Sequence, residues 1–259
     1  MPAESAAWSG WVTLPVLGAA AFLAGLVDSI AGGGGLITVP ALLAAGVSPK
    51  VALGTNKLQS SFGSGTAMVS YARGGVVRLR PLVGAVVVVF VAAAGGSLAV
   101  QHLSNDLLRA IIPFLLLGLL VYVLLRPRLG LQPSEAKLSR PLFWAVFGVA
   151  IGFYDGFFGP GTGSFWTMAL GVMLGMDLRS AVGHTKVMNF TSNIAALALF
   201  AWGGYVRADL GLVMAAGQFF GARLGSKLVL RRGARFIRPV LLVVVALTTA
   251  KLIWDWLGR

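Results

Sequence analysis

Two lysines sit where a chain this apolar has little reason to put them. Lys57 lies in "ALGTNKLQSSFGS" from Ala52 and Lys186 in "AVGHTKVMNFTSN" from Ala181, each inside a long hydrophobic segment. An ammonium at such depth is costly unless something compensates it, so each is a functional candidate by default. At helical spacing Lys57, Ser60, Ser61 and Ser64 share one face, as do Lys186, Asn189 and Asn193. Thr55, Asn56 and Gln59 surround the first lysine, and His184, Thr185 and Ser192 surround the second. Two cations flanked by neutral donors describe a site for a small anion. In the plainer reading the lysines snorkel to the headgroups while the hydroxyls and amides join helices. Lysine with polar neighbours in both places favours the anion site.

A second pair of features carries backbone donors. "GLVDSIAGGGG" from Gly25 and "GFYDGFFGPGTG" from Gly152 interrupt apolar runs with glycine. A broken helix exposes N–H groups and the positive end of a helix dipole, so Gly33, Gly34 and Gly35, and Gly161, Thr162 and Gly163, join the candidate anion site. Close helix packing is the alternative use of such glycines. Asp28 and Asp155 stand four residues before the breaks and either cap the turns or carry a coupled proton, capping being preferred. "GGGGLIT" lacks the Lys-Ser/Thr of a nucleotide-binding loop.

The rest of the composition excludes classes. The chain has 259 residues, 57% hydrophobic and 11% charged, against about 25% charged in a soluble protein. That is an integral membrane protein. With no cysteine there is no thiolate nucleophile or Cys metal site, and His102 and His184 sit in no spaced catalytic motif. An enzyme, a metal and a cofactor are therefore not expected. The formal charge of +13 collects in short segments between apolar runs, which suits topology signals and anionic lipid and not a nucleic-acid groove. The expected partners are a small anion and the bilayer; a homodimer is left open. No basic stretch precedes the first apolar run, so it reads as a retained helix, not a cleaved signal.

The elements that must position these residues come in two series. Trp11–Ala31, a short Leu36–Ala45, Pro49–Ala72, Leu82–Val100 and Leu107–Leu125 form the first, and the polar stretch Arg126–Arg140 follows as linker. Pro141–Phe158, a short Ser164–Leu174, Leu178–Trp202, Leu210–Leu230 and Phe236–Leu257 form the second. Ser48 and Pro49 suit the N-cap and first turn of the third element. The residues repeat as well as the lengths: Asp28 falls on Asp155, Lys57 on Lys186 and Arg78 on Arg207. This predicts a tandem duplication of a five-element unit, residues 1–125 and 141–259, around a cytoplasmic linker at 126–140.

Loop charges then orient the halves. Arg73, Arg78 and Arg80 follow the third element of the first half, while Arg231, Arg232, Arg235 and Arg238 follow the fourth element of the second. These loops and the linker fall on one side only if each half crosses the membrane an odd number of times. The expected fold is an all-α membrane protein of two inverted-topology repeats, basic loops cytoplasmic and both termini outside. Charge alone does not say whether the short second helices cross or fold back.

The two glycine-turn segments, the two lysine segments and "GQFFGARLGSKL" from Gly217 together resemble the sulfite exporter TauE/SafE family of bacterial membrane permeases, in order and over nearly the whole chain. The resemblance implies a multi-pass transporter in the bacterial inner membrane that exports sulfite or organosulfonates, its site resting on Asn56, Lys57, Thr185, Lys186 and the glycine turns. "GPGTG" replaces "GGGG" in the second turn, which should stiffen it and add the Thr162 hydroxyl. Alternating access between the halves is the expected mechanism, and an inside-negative potential already favours anion exit by about 2.3 kcal/mol per charge per 100 mV. The alternatives are a passive anion channel or an uptake permease for another small organic anion.

Overall fold

The computed structural model describes residues 10–125 and 134–232 and is helical, with no strand among the described residues. In order come α1 Gly10–Ala31, α2 Gly35–Ala44, α3 Pro49–Arg73, α4 Val83–Gln101 and α5 Asn105–Leu125. After the linker, α6 Arg140–Phe143, a π turn at Trp144–Gly148 and α7 Val149–Phe157 make one helical run, followed by α8 Thr162–Leu174, α9 Leu178–Trp202 and α10 Ala208–Arg232. Every expected element within the described residues is present, with ends displaced by at most a few residues. The expected span Phe236–Leu257, Arg235 and Arg238, and residues 126–133 of the linker lie outside the described residues.

Sequence dictates where the long helices stop. Gly32 and Gly33 hold φ of 84° and 97°, a region that penalises any residue with a Cβ, and end α1. In the second break Pro160 locks its own φ, so the left-handed residues are Gly159 at 96° and Gly161 at 79°. Ser48 and Asp177 occupy the N-cap positions of α3 and α9, and the Asp177 carboxylate accepts the Ser180 N–H at 3.0 Å.

The breaks are hairpin tips. Leu42, Ala45 and Val47 at the end of α2 pack with Leu17 and Ala21 in the middle of α1, so α2 runs back along α1 toward the side from which α1 set out. At ten residues α2 is about 15 Å long, half a hydrocarbon core. The α8 arm behaves alike: its last turn and Gly175 accept N–H groups of Ser134, Lys137 and Leu138, immediately before α6 begins.

The halves of the chain interleave in three apolar clusters, each drawing residues from both. Helix α1 packs along α10, α4 along α7, and α3 against both α9 and α10. Glycines permit the close approaches: a Cβ on Gly96 or Gly156 would strike the backbone of the other helix of the α4–α7 pair, and one on Gly221 or Gly225 would strike α1. Helices α3 and α9 are antiparallel, since Arg207 N–H, beyond the end of α9, donates to Thr55 near the start of α3 at 3.0 Å, while Gly183 near the start of α9 faces Val76 beyond the end of α3.

The outer surface is that of a protein solvated by something other than water. Trp202 is 93% exposed, Phe114 75% and Val91 64%, amid many further exposed valines, leucines and phenylalanines. Two described helices, Val12–Ala31 and Arg80–Gln101, pass a length-and-hydropathy test for crossing a membrane. Helix α3 spends its middle on Thr, Asn, Lys, Gln and Ser, and these side chains are mostly buried in protein.

Candidate functional site

Lys57 and Lys186 do not snorkel. Their side chains are 1% and 0% exposed, and each reaches the aspartate of the opposite half of the chain. Lys57 Nζ donates to Asp155 Oδ1 at 2.7 Å and to the Asp155 carbonyl oxygen. Lys186 Nζ donates to Asp28 Oδ2 at 2.9 Å and to the Asp28 carbonyl oxygen. In each pair one ammonium satisfies both a carboxylate and a carbonyl in the last turn of a helix, so each long polar helix is bound to the other half's glycine break. Both ions are desolvated, a cost offset only by this geometry.

The two breaks also touch each other. A Cβ on Gly32 would come within 2.5 Å of the Gly163 carbonyl carbon, one on Gly163 within 2.7 Å of Gly32 Cα, and one on Gly35 within 3.0 Å of Pro160 Cα. The tips of the hairpins therefore meet back to back, and N-termini of both short helices open on the same small cavity. That cavity holds about 30 Å³, room for about two waters.

Ten of the sequence-predicted residues line this cavity: Lys57 with Asn56, Ser60 and Asn189, then Gly33, Gly34, Gly35, Gly161, Thr162 and Gly163. Asp28 and Asp155 line it too. The Thr162 hydroxyl, expected as an added donor, is turned back onto the Gly159 carbonyl at 2.6 Å and closes its own turn. Six predicted residues lie behind the wall. Lys186 stands beneath Asp28; Thr55 accepts from Arg207 N–H; Thr185 pairs with Thr167 at 3.1 Å. His184 Nδ1 is 2.8 Å from the Ser180 carbonyl, one turn back along α9, and Ser61 donates to the Lys57 carbonyl. Gln59 donates to Asn56 Oδ1 and Ser60 Oγ, while its own Oε1 is buried without a partner, like Oδ1 of Asn189.

Two polar side chains at the site were missed from sequence, one in the wall and one behind it. Gln218, 2% exposed, projects from α10 between Gly25 and Gly63, and its signal was a lone amide in an apolar run with no counterpart in the first half. Thr38 on α2 donates to Asn56 Oδ1 at 2.6 Å, a contact between elements that spacing along one helix does not announce. No group of three or more His, Cys, Asp or Glu side chains that could hold a metal occurs among the described residues.

Comparison with known proteins agrees over the whole length. The chain is 46% identical over 246 residues to the probable membrane transporter protein YfcA of Escherichia coli K12, covering 95% of this chain and 91% of the relative. It is 43% identical to a probable membrane transporter protein of Haemophilus influenzae (93% and 95% covered) and 42% to ORF9 of Sinorhizobium (95% and 97%). No solved structure matches it. The family model described as sulfite exporter TauE/SafE matches residues 17–252, and the chain, with its paired glycine breaks and buried lysines inside that range, belongs to this family.

Proposed function

We propose that this chain is a multi-pass transporter that moves small sulfur-containing anions, sulfite or organosulfonates, across the bacterial inner membrane by alternating access. One observation carries the reading. Each buried lysine of one half holds the aspartate and helix end of the other half's break, beside N–H groups of a short helix. An oxyanion that enters competes with a carboxylate for an ammonium and accepts from backbone N–H groups, which gives it differential affinity for an opened arrangement. Because the pairs are reciprocal, loosening one break withdraws support from the other.

The duplication read from sequence supports inverted repeats as the moving parts. Asp28 matches Asp155, Lys57 matches Lys186, and α3 runs antiparallel to α9. Arg73, Arg140, Arg179 and Arg231 gather at one end of the bundle, where Gly74 and Arg179 both meet Leu230, and the positive-inside rule assigns that end to the cytoplasm. Export is the direction named by the family. A channel sharing these lysines is disfavoured by the smallness of the cavity between the glycine turns, and uptake of another organic anion is the remaining alternative.

The test is flux in proteoliposomes loaded with sulfite or sulfoacetate, together with thermal stabilisation by the same anions. Saturable flux that collapses in Lys57→Ala and Lys186→Ala is expected. Wild-type flux rates in both variants would remove the site assignment, and non-saturating flux would replace the transporter by a channel.

A further inference from the structure

We propose that the Gln218 carboxamide binds the transported anion directly and sets the affinity of the cavity for it; the inference rests on the anion-transport reading above. The formal charges at the two breaks already cancel, because Lys57 is paired with Asp155 and Lys186 with Asp28. An anion entering this site therefore needs hydrogen-bond donors that no carboxylate claims. Gln218 lines the cavity, is 2% exposed, and its side chain makes no hydrogen bond with any described residue. A buried amide without a protein partner costs stability, and packing alone gives no reason to keep one. Its companions in the wall are Asn189 and Asn56; Asn56 Oδ1 accepts from Thr38 and Gln59, which leaves its NH₂ to the cavity.

The fold makes room for this side chain on two neighbouring helices. A Cβ on Gly25 of α1 would come within 2.8 Å of Gln218 Oε1, and one on Gly63 of α3 would strike the same oxygen. Helix α10 thus carries the amide to the cavity through a slot between two bare backbones. A residue with a side chain at either glycine would push it off the wall.

The duplication supplies an internal control. Val89 on α4 is the counterpart of Gln218: a Cβ on Gly152 would meet the Val89 carbonyl oxygen and Cα at 3.2 and 3.3 Å, as one on Gly25 would meet those of Gln218 at 2.6 and 2.9 Å. Gly152 falls on Gly25 in the sequence match, and with Lys186 on Lys57 the residue matching Gly63 is Ser192. In the second half, then, Val89 is fully buried in an apolar cluster and the Ser192 hydroxyl serves Asp155. In the first half that hydroxyl is missing and an amide from α10 stands in its space. Valine meets the needs of helix packing at this position, so what glutamine adds is hydrogen bonding at the cavity without a further charge.

The experiment uses the full chain, with sulfite and sulfoacetate flux measured in proteoliposomes and thermal unfolding of the purified protein measured with and without each anion. Gln218→Met fills the same slot without an amide. Without anion it is expected to unfold at or above the wild-type temperature, since an unpaired buried amide is gone. It is also expected to lose the anion-induced rise in that temperature and to raise KM roughly 10- to 100-fold, the worth of one hydrogen bond to a charged group. Gln218→Asn keeps the amide but withdraws it by one methylene, and its KM should fall between the two. A wild-type KM or a retained anion-induced rise in Gln218→Met overturns the proposal and leaves the residue a packing element. If Gln218→Met does not fold, wild-type KM in Gln218→Asn overturns it instead. Absence of wild-type flux and of stabilisation with sulfite and every sulfonate sinks the transport reading itself.

Discussion

The two glycine breaks do the same mechanical job with different chemistry. In the first, Asp28 is partly exposed at 19%, ties Gly34 N–H into the turn and answers to Lys186; in the second, Asp155 is 4% exposed and answers to Lys57 and the Ser192 hydroxyl. The second turn no longer needs its aspartate as a backbone cap, because Thr162 and Pro160 stiffen it from within.

The comparison can be broken most severely at the lysines. Lys57→Ala leaves Asp155 buried and unpaired and should cost about 3–5 kcal/mol, read as a large fall in the unfolding temperature of the purified protein. Lys186→Ala should cost less, since Asp28 keeps an amide donor and some solvent. Equal losses would mean that the two pairs are energetically alike and the asymmetry is only geometric.

The turns come next. Gly32→Ala meets both its left-handed φ and the Gly163 backbone, so it should exceed the roughly 1–2 kcal/mol of the conformational penalty alone. Gly33→Ala has only Leu36 Cδ1 at 3.5 Å before it and should stay near that penalty. Thermal unfolding of the two variants separates contact between the tips from turn strain.

Ser192→Ala removes a hydrogen bond to a charged group, worth about 1.5–3 kcal/mol, in the second half alone. Placing serine at Gly63 should not supply the equivalent in the first, because a Cβ there collides with Gln218.

The smallest effect is expected at Asp177, outside the helices. Asp177→Ala loses an N-cap and should cost about 1 kcal/mol. Burial raises the Asp177 carboxyl, but the Ser180 side-chain and backbone hydrogen bonds outweigh it and hold it below the usual carboxylate range. Its contribution is thus present above the unfolded carboxylate range and lost as pH falls through its own lower value, so the wild-type advantage over the variant should shrink in acid.

Much of this was legible in the chain. Helix periodicity, the N-cap residue Ser48 and the glycine interruptions are local properties, so α3 and α9 could be placed to within a residue or so of their ends. The cavity wall was legible where residue type carries its own cost at depth, as for Lys57, Asn56 and Asn189. Gln218 and Thr38 were not, because one polar residue on an apolar helix says nothing of which neighbour it meets.

By itself the sequence determined the order of helices, their breaks and the matching of Asp28 with Asp155 and Lys57 with Lys186, all of which follow from local chemistry and internal similarity. It left open whether α2 and α8 cross, and it placed both lysines as free cations. Packing decided both points. The short helices fold back because their ends find partners beside the start of the preceding arm, and the lysines pair across the halves because a buried ammonium with no carboxylate in reach is too costly to keep.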